Sequence, residues 1–306
     1  MILATSARHG KSNFLANPLF RTLAALPLRW NHRVGSILGR IIYALDKRYA
    51  GRINENLAAS GIACDVKQLT SLVCQNVRES GKAFTELLVA WLRPPEEVAA
   101  LVRDCRGWDS VERALVRGHG IIFVTPHLGC FDIAGRYLTS RLPVTFMYSP
   151  PKIKWAEKLM DEGRSRMNAT LAPADRGGVR LLLKALKQGG NICILPDQAP
   201  SQGEGVWADF FGRPAYTMTL IGRLQQATSA EVLMFFGERM PDGAGYRVWI
   251  KPLSAPLEAD SPHAARQLNA AVEDLVRQCP AQYLWSYNRY KTPAGAPPPP
   301  PEPEKP

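Results

Sequence analysis

Paired cysteines and long apolar runs are both missing from this sequence of 306 residues. Its six cysteines are scattered and form no C-x-x-C pair, which argues against a zinc site and predicts free thiols in a reducing compartment. No stretch of about 20 uncharged apolar residues occurs, which argues against an ordinary transmembrane helix. The sequence also has no short apolar region followed by a small-residue cleavage site, as a secretory signal peptide would. These absences favour a globular protein that works in a reducing cytosol.

Acidic residues are scarce relative to basic ones. The chain has 38 Lys and Arg residues against 27 Asp and Glu residues, a formal net charge of +11. Such an excess suits nucleic acids, anionic membranes, or acidic ligands and proteins as partners. No recognised nucleic-acid-binding motif accompanies the charge, so we expect no nucleic-acid partner.

The first 60 residues combine positive charge with apolar residues that recur near helical spacing from Leu19 to Leu45. Up to Arg52 the chain has nine Lys and Arg residues and a single Asp. A helix with this bias would lie in the interface of an anionic membrane. A helix that covers the protein's own core fits the same pattern, and both interpretations stay open. Pro27 predicts a break between two helices.

The rest of the chain is predicted to be helical first and then to alternate between strands and helices. Residues 65–118 have helical spacing, interrupted where Pro94 and Pro95 end one helix and Glu96 and Glu97 begin the next. Such alternation predicts an α/β fold with a mostly parallel central sheet flanked by helices. Strand-like runs lie at 121–124, 144–148, 192–195, 232–236 and 246–250, and helix-like runs at 132–141, 153–167, 178–188 and 217–228.

These patterns divide the chain into three parts. Residues 1–60 would form basic, membrane-associating amphipathic helices, and residues 61–292 would form the α/β domain. Residues 293–306 are rich in proline and contain no core-forming residues, so we expect a disordered tail.

Three predicted strands end in polar residues. The first runs into His127, the third into Asp197 and Gln198, and the fourth into Glu238 and Arg239. In open α/β sheets, ligands bind outside the carboxyl ends of the strands. We therefore expect these three ends to converge on one site.

His127 is followed five positions later by Asp132, a spacing that would separate them by about 140° on a continuous helix. The two side chains can meet only if His127 lies in a loop before the helix of Asp132, and Pro126 and Gly129 predict that loop. A carboxylate on one ring nitrogen would leave the other nitrogen as a base near neutral pH. A histidine that caps a turn also fits. No G-x-S-x-G motif supplies a nucleophile, so such a base would act on a substrate hydroxyl.

Four segments in this order resemble a known enzyme superfamily. They are TPHLGCFDIAG (125–135), ADRGGVRLLLKALKQGG (174–190), ILPDQAPSQGEGVWADFFGRPAYT (194–217) and QYLWSYNRYK (282–291). The superfamily is that of the lysophospholipid acyltransferases, and within it the chain is most similar to the late, lauroyl- or myristoyl-type acyltransferases of lipid A biosynthesis. The likeness extends from about residue 18 to Lys291.

The resemblance implies a reaction, its partners and a location. A fatty acyl chain would move from acyl-acyl carrier protein to the hydroxyl of a 3-hydroxyacyl chain on a lipid A precursor. His127 would be the general base and Asp132 the acid that orients it, with no metal, cofactor or covalent intermediate. The enzyme would lie on the cytoplasmic face of the inner membrane, bound to anionic lipid through residues 1–60.

Further residues match the family's substrate site. Arg164, Arg166 and Arg176 suit phosphates of the precursor, although solvated surface arginines are the alternative. Asp197 and Gln198 are expected to bond substrate hydroxyls or to hold an arginine.

Four aromatic residues, Trp207, Phe210, Phe211 and Tyr216, are candidates for the lining of an acyl channel. Packing in the core is the alternative for all four. In the last segment we interpret Arg289 as basic surface.

Two other functions stay open. The acceptor could be a lysophospholipid or another glycolipid, but relatives acting on glycerolipids carry an E-G-T-R-S-like stretch where this chain has Pro196, Asp197 and Gln198. Many relatives also have an acidic residue in place of Ala199, so no role is carried over to that position. The second alternative is a non-enzymatic basic protein that binds membranes or nucleic acid. In such a protein His127 would have no catalytic role.

Overall fold

The computed structural model describes residues 18–148, 169–201 and 203–300. Its helices are α1 (Pro18–Ala25), α2 (Leu28–Leu45), α3 (Lys47–Ala59), α4 (Val66–Leu92), α5 (Pro95–Ala100), α6 (Trp108–Arg117), α7 (Phe131–Thr139), α8 (Arg176–Lys187), α9 (Leu220–Thr228) and α10 (Ser261–Gln278), the last followed by a 3₁₀ turn, Pro280–Gln282. Its strands are β1 (Val102–Arg106), β2 (Ile121–Val124), β3 (Val144–Tyr148), β4 (Ala169–Pro173), β5 (Asn191–Ile194), β6 (Gly205–Phe210), β7 (Arg213–Met218), β8 (Glu231–Arg239) and β9 (Tyr246–Pro252).

Seven strands form the central sheet, in the order β1-β9-β8-β2-β5-β3-β4. Neighbouring strands are parallel except for β8 and β9, which are antiparallel. Every residue of β2 and β5 is buried, as expected of central parallel strands covered by helices on both faces. The prediction of an α/β fold with a mostly parallel sheet is confirmed. Strands β6 and β7 form a separate antiparallel hairpin.

Successive residues of β2 point to opposite faces of the sheet and so belong to two apolar layers. Ile122 and Val124 pack with residues of α3, α4, α8, α9 and α10. Ile121 and Phe123 pack with residues of α6 and α7. Because β2, β5, β3 and β4 are parallel neighbours, their carboxyl ends meet at one edge of the sheet, between these two layers.

Helices α2 and α4 pack against each other through glycines. A Cβ on Gly81 would lie 2.0 Å from the carbonyl oxygen of Gly35, and a Cβ on Gly39 would lie 2.2 Å from that of Val77. The two backbones are thus in direct contact, and any side chain at these positions would force the helices apart. One face of α2 therefore covers the protein's own core.

The opposite face of α2 exposes large apolar side chains. Trp30, Ile37, Ile41 and Leu45 share this face and are between 45 % and 79 % exposed. Pro27 separates α1 from α2, as the sequence predicts. Across the described ranges, no helix is both long enough and apolar enough to cross a membrane. Association of α2 with a membrane surface stays a prediction.

Some elements differ from those that the sequence predicts. Strand β1 lies within the region that the sequence predicts to be helical. The pattern of apolar residues does not reveal it, because this edge strand, of sequence VRDCR, has no apolar run. Residues 217 and 218 belong to β7 rather than to the following helix, which begins at Leu220. Strands β4 and β6 have no counterpart in the predicted runs. The helix predicted at 153–167 lies outside the described residues.

Candidate active site

A tight loop after β2 carries His127. Gly129 has a φ of +63°, and a Cβ there would lie 2.0 Å from the carbonyl oxygen of Gly237, so the position requires glycine. The Gly129 N–H donates to the carbonyl of Gln282 at 3.0 Å, and the Leu284 N–H donates to the carbonyl of His127 at 3.0 Å. These contacts fix the backbone on both sides of the histidine.

The carboxylate of Asp197, just after β5, holds His127 at two points. Its Oδ1 lies 2.8 Å from the ring Nδ1, and its Oδ2 accepts the backbone N–H of His127 at 2.8 Å. Because an ionised carboxylate only accepts, the neutral ring carries its proton on Nδ1 and a lone pair on Nε2. The sequence predicts that Asp197 bonds substrate hydroxyls or holds an arginine; in the structure both of its oxygens bond to the histidine.

Gln198 contacts the other ring nitrogen. Its side-chain Nε2 lies 3.2 Å from Nε2 of His127, where an amide N–H can donate to the ring lone pair. The side chain of Gln198 is exposed, so a substrate hydroxyl can displace it. The ends of the two strands that precede His127 and Gln198 thus converge, and a contact of Gln198 with a substrate hydroxyl stays a prediction.

Burial alone would lower the pKa of His127. The charge of Asp197, its hydrogen bond to the ring and the charge of Asp132 outweigh burial and raise that pKa above the ordinary value for histidine. Burial alone would likewise raise the pKa of Asp197, but the charge and hydrogen bonds of His127 and the charge of Arg289 hold it below its ordinary value. Asp197 is therefore ionised at neutral pH and stabilises the imidazolium form of the ring.

Asp132 does not make the ring contact that the sequence predicts. It lies in the first turn of α7, where its Oδ1 accepts a hydrogen bond from Nε1 of Trp91 at 3.2 Å. The carboxylate on Nδ1 comes instead from Asp197, 70 residues beyond His127, because β2 and β5 are adjacent parallel strands. Asp132 still lines the cavity and raises the pKa of His127. Its catalytic role stays a prediction, without the orienting hydrogen bond.

His127 faces a cavity of about 360 Å³ at the carboxyl edge of the sheet. The ring of Phe131 packs against the imidazole, with 5.1 Å between the ring centroids. Ligand pockets commonly have such a volume, mainly apolar walls and a few polar groups. The site can therefore hold an apolar chain beside a base. The larger apolar residues of its lining are Phe131, Phe146, Met147, Leu171, Ile194, Leu195 and Met218.

The four aromatic residues predicted to line an acyl channel lie elsewhere. Phe210, Phe211 and Tyr216 are at most 6 % exposed and pack in the core around the β6–β7 hairpin. Trp207 packs against Tyr216, and its Nε1 donates to the carbonyl of Pro297 at 2.9 Å, so the start of the tail contacts the hairpin. None of the four lines the cavity described above. We therefore interpret these four aromatic residues as packing around the hairpin rather than as the lining of an acyl channel.

Of the three arginines matched to substrate phosphates, the structure describes one. Arg176 is exposed at the first position of α8, two residues after Ala174, which lines the cavity. Arg164 and Arg166 lie outside the described residues. A role of Arg176 in binding the precursor stays a prediction.

Arg289 supports the site from behind, and the sequence patterns miss it. It is only 3 % exposed, and its guanidinium donates to the carbonyl of Tyr216 and to Oγ1 of Thr217, both at 2.7 Å. Its charge helps to lower the pKa of Asp197. The interpretation as basic surface is wrong, because this side chain is enclosed by the hairpin and α10. The many aromatic residues around it in the sequence are the one signal of burial.

A buried ion pair also supports the loop of His127. Both oxygens of Glu86 accept from Nε of Arg239, at 2.8 Å and 2.7 Å, and Nη2 of Arg239 donates to the carbonyl of Gly129 at 2.8 Å. His32 and Tyr246 also contact Glu86. Burial would raise the pKa of Glu86, but the charge of Arg239 and these contacts lower it to about 2. The end of β8 thus reaches the back of the loop rather than the cavity.

Cys130, next to the loop of His127, is a poor candidate for a nucleophile. All six cysteines are free, as the sequence predicts, and Cys130 and Cys193 are buried. Burial raises the pKa of the Cys130 thiol well above its ordinary value, which disfavours the reactive thiolate. In the described part of the chain, no three His, Cys, Asp or Glu side chains are grouped as metal ligands.

The chain matches a family model described as bacterial lipid A biosynthesis acyltransferase over residues 3–292. Three relatives from Escherichia coli (strain K12) align over most of their lengths. The chain is 27 % identical over 263 residues to a lipid A biosynthesis palmitoleoyltransferase, covering 85 % of the chain and 84 % of the relative. It is 28 % identical over 279 residues to a lauroyltransferase, covering 89 % of each. It is 26 % identical over 274 residues to a myristoyltransferase, covering 88 % of the chain and 84 % of the relative.

Proposed function

We infer that this chain, which belongs to the bacterial lipid A biosynthesis acyltransferase family and is therefore an acyltransferase, uses acyl-acyl carrier protein as its donor. The proposed acceptor is the hydroxyl of a 3-hydroxyacyl chain on a lipid A precursor. The observation that carries the proposal is the lone-pair nitrogen of His127 facing a cavity that has both apolar and polar walls, with Asp197 on the other ring nitrogen. Because the chain belongs to an enzyme family, we set aside the alternative of a non-enzymatic protein that binds membranes or nucleic acid.

In the proposed reaction His127 is the general base. Its Nε2 takes the proton of the acceptor hydroxyl while the hydroxyl oxygen attacks the carbonyl carbon of the thioester. The C–S bond then breaks, and the imidazolium returns its proton to the departing thiolate, so an ester and a thiol are formed. Asp197 keeps its hydrogen bond to Nδ1 and stabilises the imidazolium. A thiolate is a good leaving group, so a positioned base and thioester suffice.

We propose that the cavity holds the donor acyl chain. Each methylene removed from water contributes about 0.8 kcal/mol, so an apolar wall favours a long chain over a short one. The polar groups at His127 and Gln198 would then lie at the thioester end, where the acceptor hydroxyl must enter.

Arg164, Arg166 and Arg176 are proposed to bind the phosphates of the precursor. Of these three, only Arg176 is among the described residues. A guanidinium presents parallel N–H donors that match phosphate oxygens. The exposed position of Arg176 near the cavity lining supports this role.

Peripheral binding to anionic lipid on the cytoplasmic face of the inner membrane is proposed to occur through residues 1–60. The exposed apolar face of α2 supports this, because Arg29, Arg33 and Arg40 are also exposed and lie along one side of it at helical spacing. Apolar side chains would enter the interface while the arginines contact anionic headgroups.

Mass spectrometry of lipid A tests the proposal. Cells that lack this protein should make lipid A with one acyl chain fewer, and expression of the wild-type chain should restore it. Expression of the His127→Gln variant at the same level should not. Unchanged lipid A in the deletion strain, with a changed phospholipid or other glycolipid, would overturn the acceptor assignment.

A further inference from the structure

Helices α8 and α9 lie side by side and enclose a surface groove. Its floor is apolar, with Val179 and Leu183 contributed by α8 and Leu220 and Ala227 by α9. Leu181 on α8 is also 45 % exposed. Apolar surface of this kind suits a partner that brings apolar side chains of its own.

The rims of the groove are basic. Arg176, Arg180, Lys184 and Lys187 are all exposed and fall within about 80° of one another around α8, on the side next to its groove-lining residues. Arg223, on α9, is exposed and lines the groove from the other side. Neither helix contains an acidic residue. Among the described residues, none of these five cations forms an ion pair, so their charge is available to a partner.

One end of the groove opens beside the active-site cavity. Ala174 and Met218 both line that cavity, and α8 and α9 each begin two residues after one of them. With 12 residues, α8 extends about 18 Å away from the cavity. A partner lying along the groove would therefore have one end next to His127.

We propose that this groove docks the acyl carrier protein through an amphipathic helix whose polar face is acidic. The proposal rests on the proposed function, which names the carrier as donor, and adds the surface that receives it. An amphipathic helix places its apolar residues in a groove and its charged residues against the rims. Carboxylates of the partner would face Arg180, Lys184 and Lys187 on α8 and Arg223 on α9, and the thioester would enter the cavity from the near end.

An anionic membrane is the other partner that basic residues attract. It fits this surface less well, because a flat bilayer does not reach the floor of a groove between two helices. The face of α2, with its exposed large apolar side chains, suits a membrane better. The groove and α2 thus suit different partners.

Steady-state transfer with two donors tests the docking surface. One donor is the acyl carrier protein, and the other is an acyl-pantetheine thioester that lacks the protein. The test variants are Arg180→Glu/Lys184→Glu, which reverses the rim charge, and Ala227→Trp, which fills the groove. The control is Lys67→Glu/Lys251→Glu, an equal charge change at exposed positions outside the groove.

Both test variants should raise the KM for the carrier about tenfold or more, while the control keeps the wild-type value. The rim variant should also weaken the salt dependence of kcat/KM, because fewer charges steer the encounter. Transfer from the pantetheine thioester should not change in any variant. Arg176 is left unaltered because it is a candidate for the precursor phosphates.

A wild-type KM for the carrier in both test variants would overturn the proposal. An equal rise for both donors would do so as well, since it would indicate damage to the cavity. Loss of binding to phosphatidylglycerol vesicles with carrier KM unchanged would assign the groove to the membrane instead. If the wild-type enzyme transfers from neither donor, the proposed function fails, and direct titration with labelled carrier still decides whether the groove binds it.

Discussion

Replacement of Asp197 by Asn should inactivate the enzyme through the wrong tautomer of His127. The carboxylate accepts two hydrogen bonds from the histidine, at the backbone N–H and at Nδ1. An Asn side chain has only one oxygen, and the backbone N–H always needs an acceptor. If that oxygen stays on the backbone N–H, the amide NH₂ faces Nδ1, which must then accept. The ring proton then moves to Nε2, so the nitrogen that faces the cavity has no lone pair and cannot act as the base.

The expected loss in kcat is about 10²–10⁴-fold, the range that a positioned general base contributes. The free energy of unfolding should fall by about 1–3 kcal/mol, because one buried donor or acceptor is poorly paired. The residual activity should also respond differently to pH. The base works only when deprotonated, and loss of the Asp197 charge removes a cause of the raised pKa of His127. The acid limb of the kcat profile should therefore move to lower pH.

Asp132→Asn is the matched control, since it removes one charge in the same cavity. It also removes a contribution that raises the pKa of His127, so its acid limb should move in the same direction. It leaves the contact at Nδ1 intact, so kcat on the plateau should fall much less than in Asp197→Asn. The assay is acyl transfer between pH 5 and 9, with a thermal melt of each variant. A greater loss in Asp132→Asn than in Asp197→Asn would refute the reasoning.

Three further predictions concern stability and membrane binding. Gly81→Ala should destabilise the protein by about 1–3 kcal/mol, because its Cβ meets the backbone of α2. The control, Gly51→Ala, has open space around it and should be neutral or stabilising. Equal thermal melts for the two variants would contradict the close contact between the helices. Glu86→Gln should cost up to about 3–5 kcal/mol in denaturant titrations at pH 7, since it removes the closer counter-charge of the buried Arg239 and leaves only Glu79, whose Oε2 lies 3.4 Å from Nη1 of the arginine. Because the pKa of Glu86 is depressed to about 2, this contribution is present above the unfolded pKa near 4.5 and is lost as the pH falls towards about 2, so wild type and variant should converge in acid. Ile37→Glu should reduce flotation with anionic vesicles without changing the melt, and Val116→Glu, also exposed, should not; the same flotation for both would argue against α2 as the membrane contact.

The central strands could be predicted from sequence because burial on both faces leaves a continuous apolar run. β2 and β3 have the predicted bounds, Ile121–Val124 and Val144–Tyr148, and both ends of β5 are shifted by one residue from the predicted 192–195. The polar residue that follows such a run marks the ligand edge, and this placed His127 and Asp197 at one site. The edge strand β1 has no apolar run, so periodicity could not separate it from the helices around it.

The partner of His127 could not be predicted from spacing along the chain. Asp132 is near in sequence, but the pairing of β2 with β5 brings Asp197 to Nδ1 from a distant segment. A similar limit applies to Phe210 and Arg289, because residue type alone does not separate a channel wall from the core or a surface cation from a buried one. In each case the decisive information is which elements are neighbours in space.

The most direct test of the account is acyl transfer by purified wild-type protein and His127→Ala, with acyl-acyl carrier protein as donor and a tetra-acylated lipid A precursor as acceptor. Wild type should form the penta-acylated product. The variant should melt as a folded protein and lose about 10²–10⁴-fold or more in turnover, since the proposed acceptor of the hydroxyl proton is removed. A folded His127→Ala variant that retains more than about a tenth of wild-type turnover would contradict the assignment of His127 as the base.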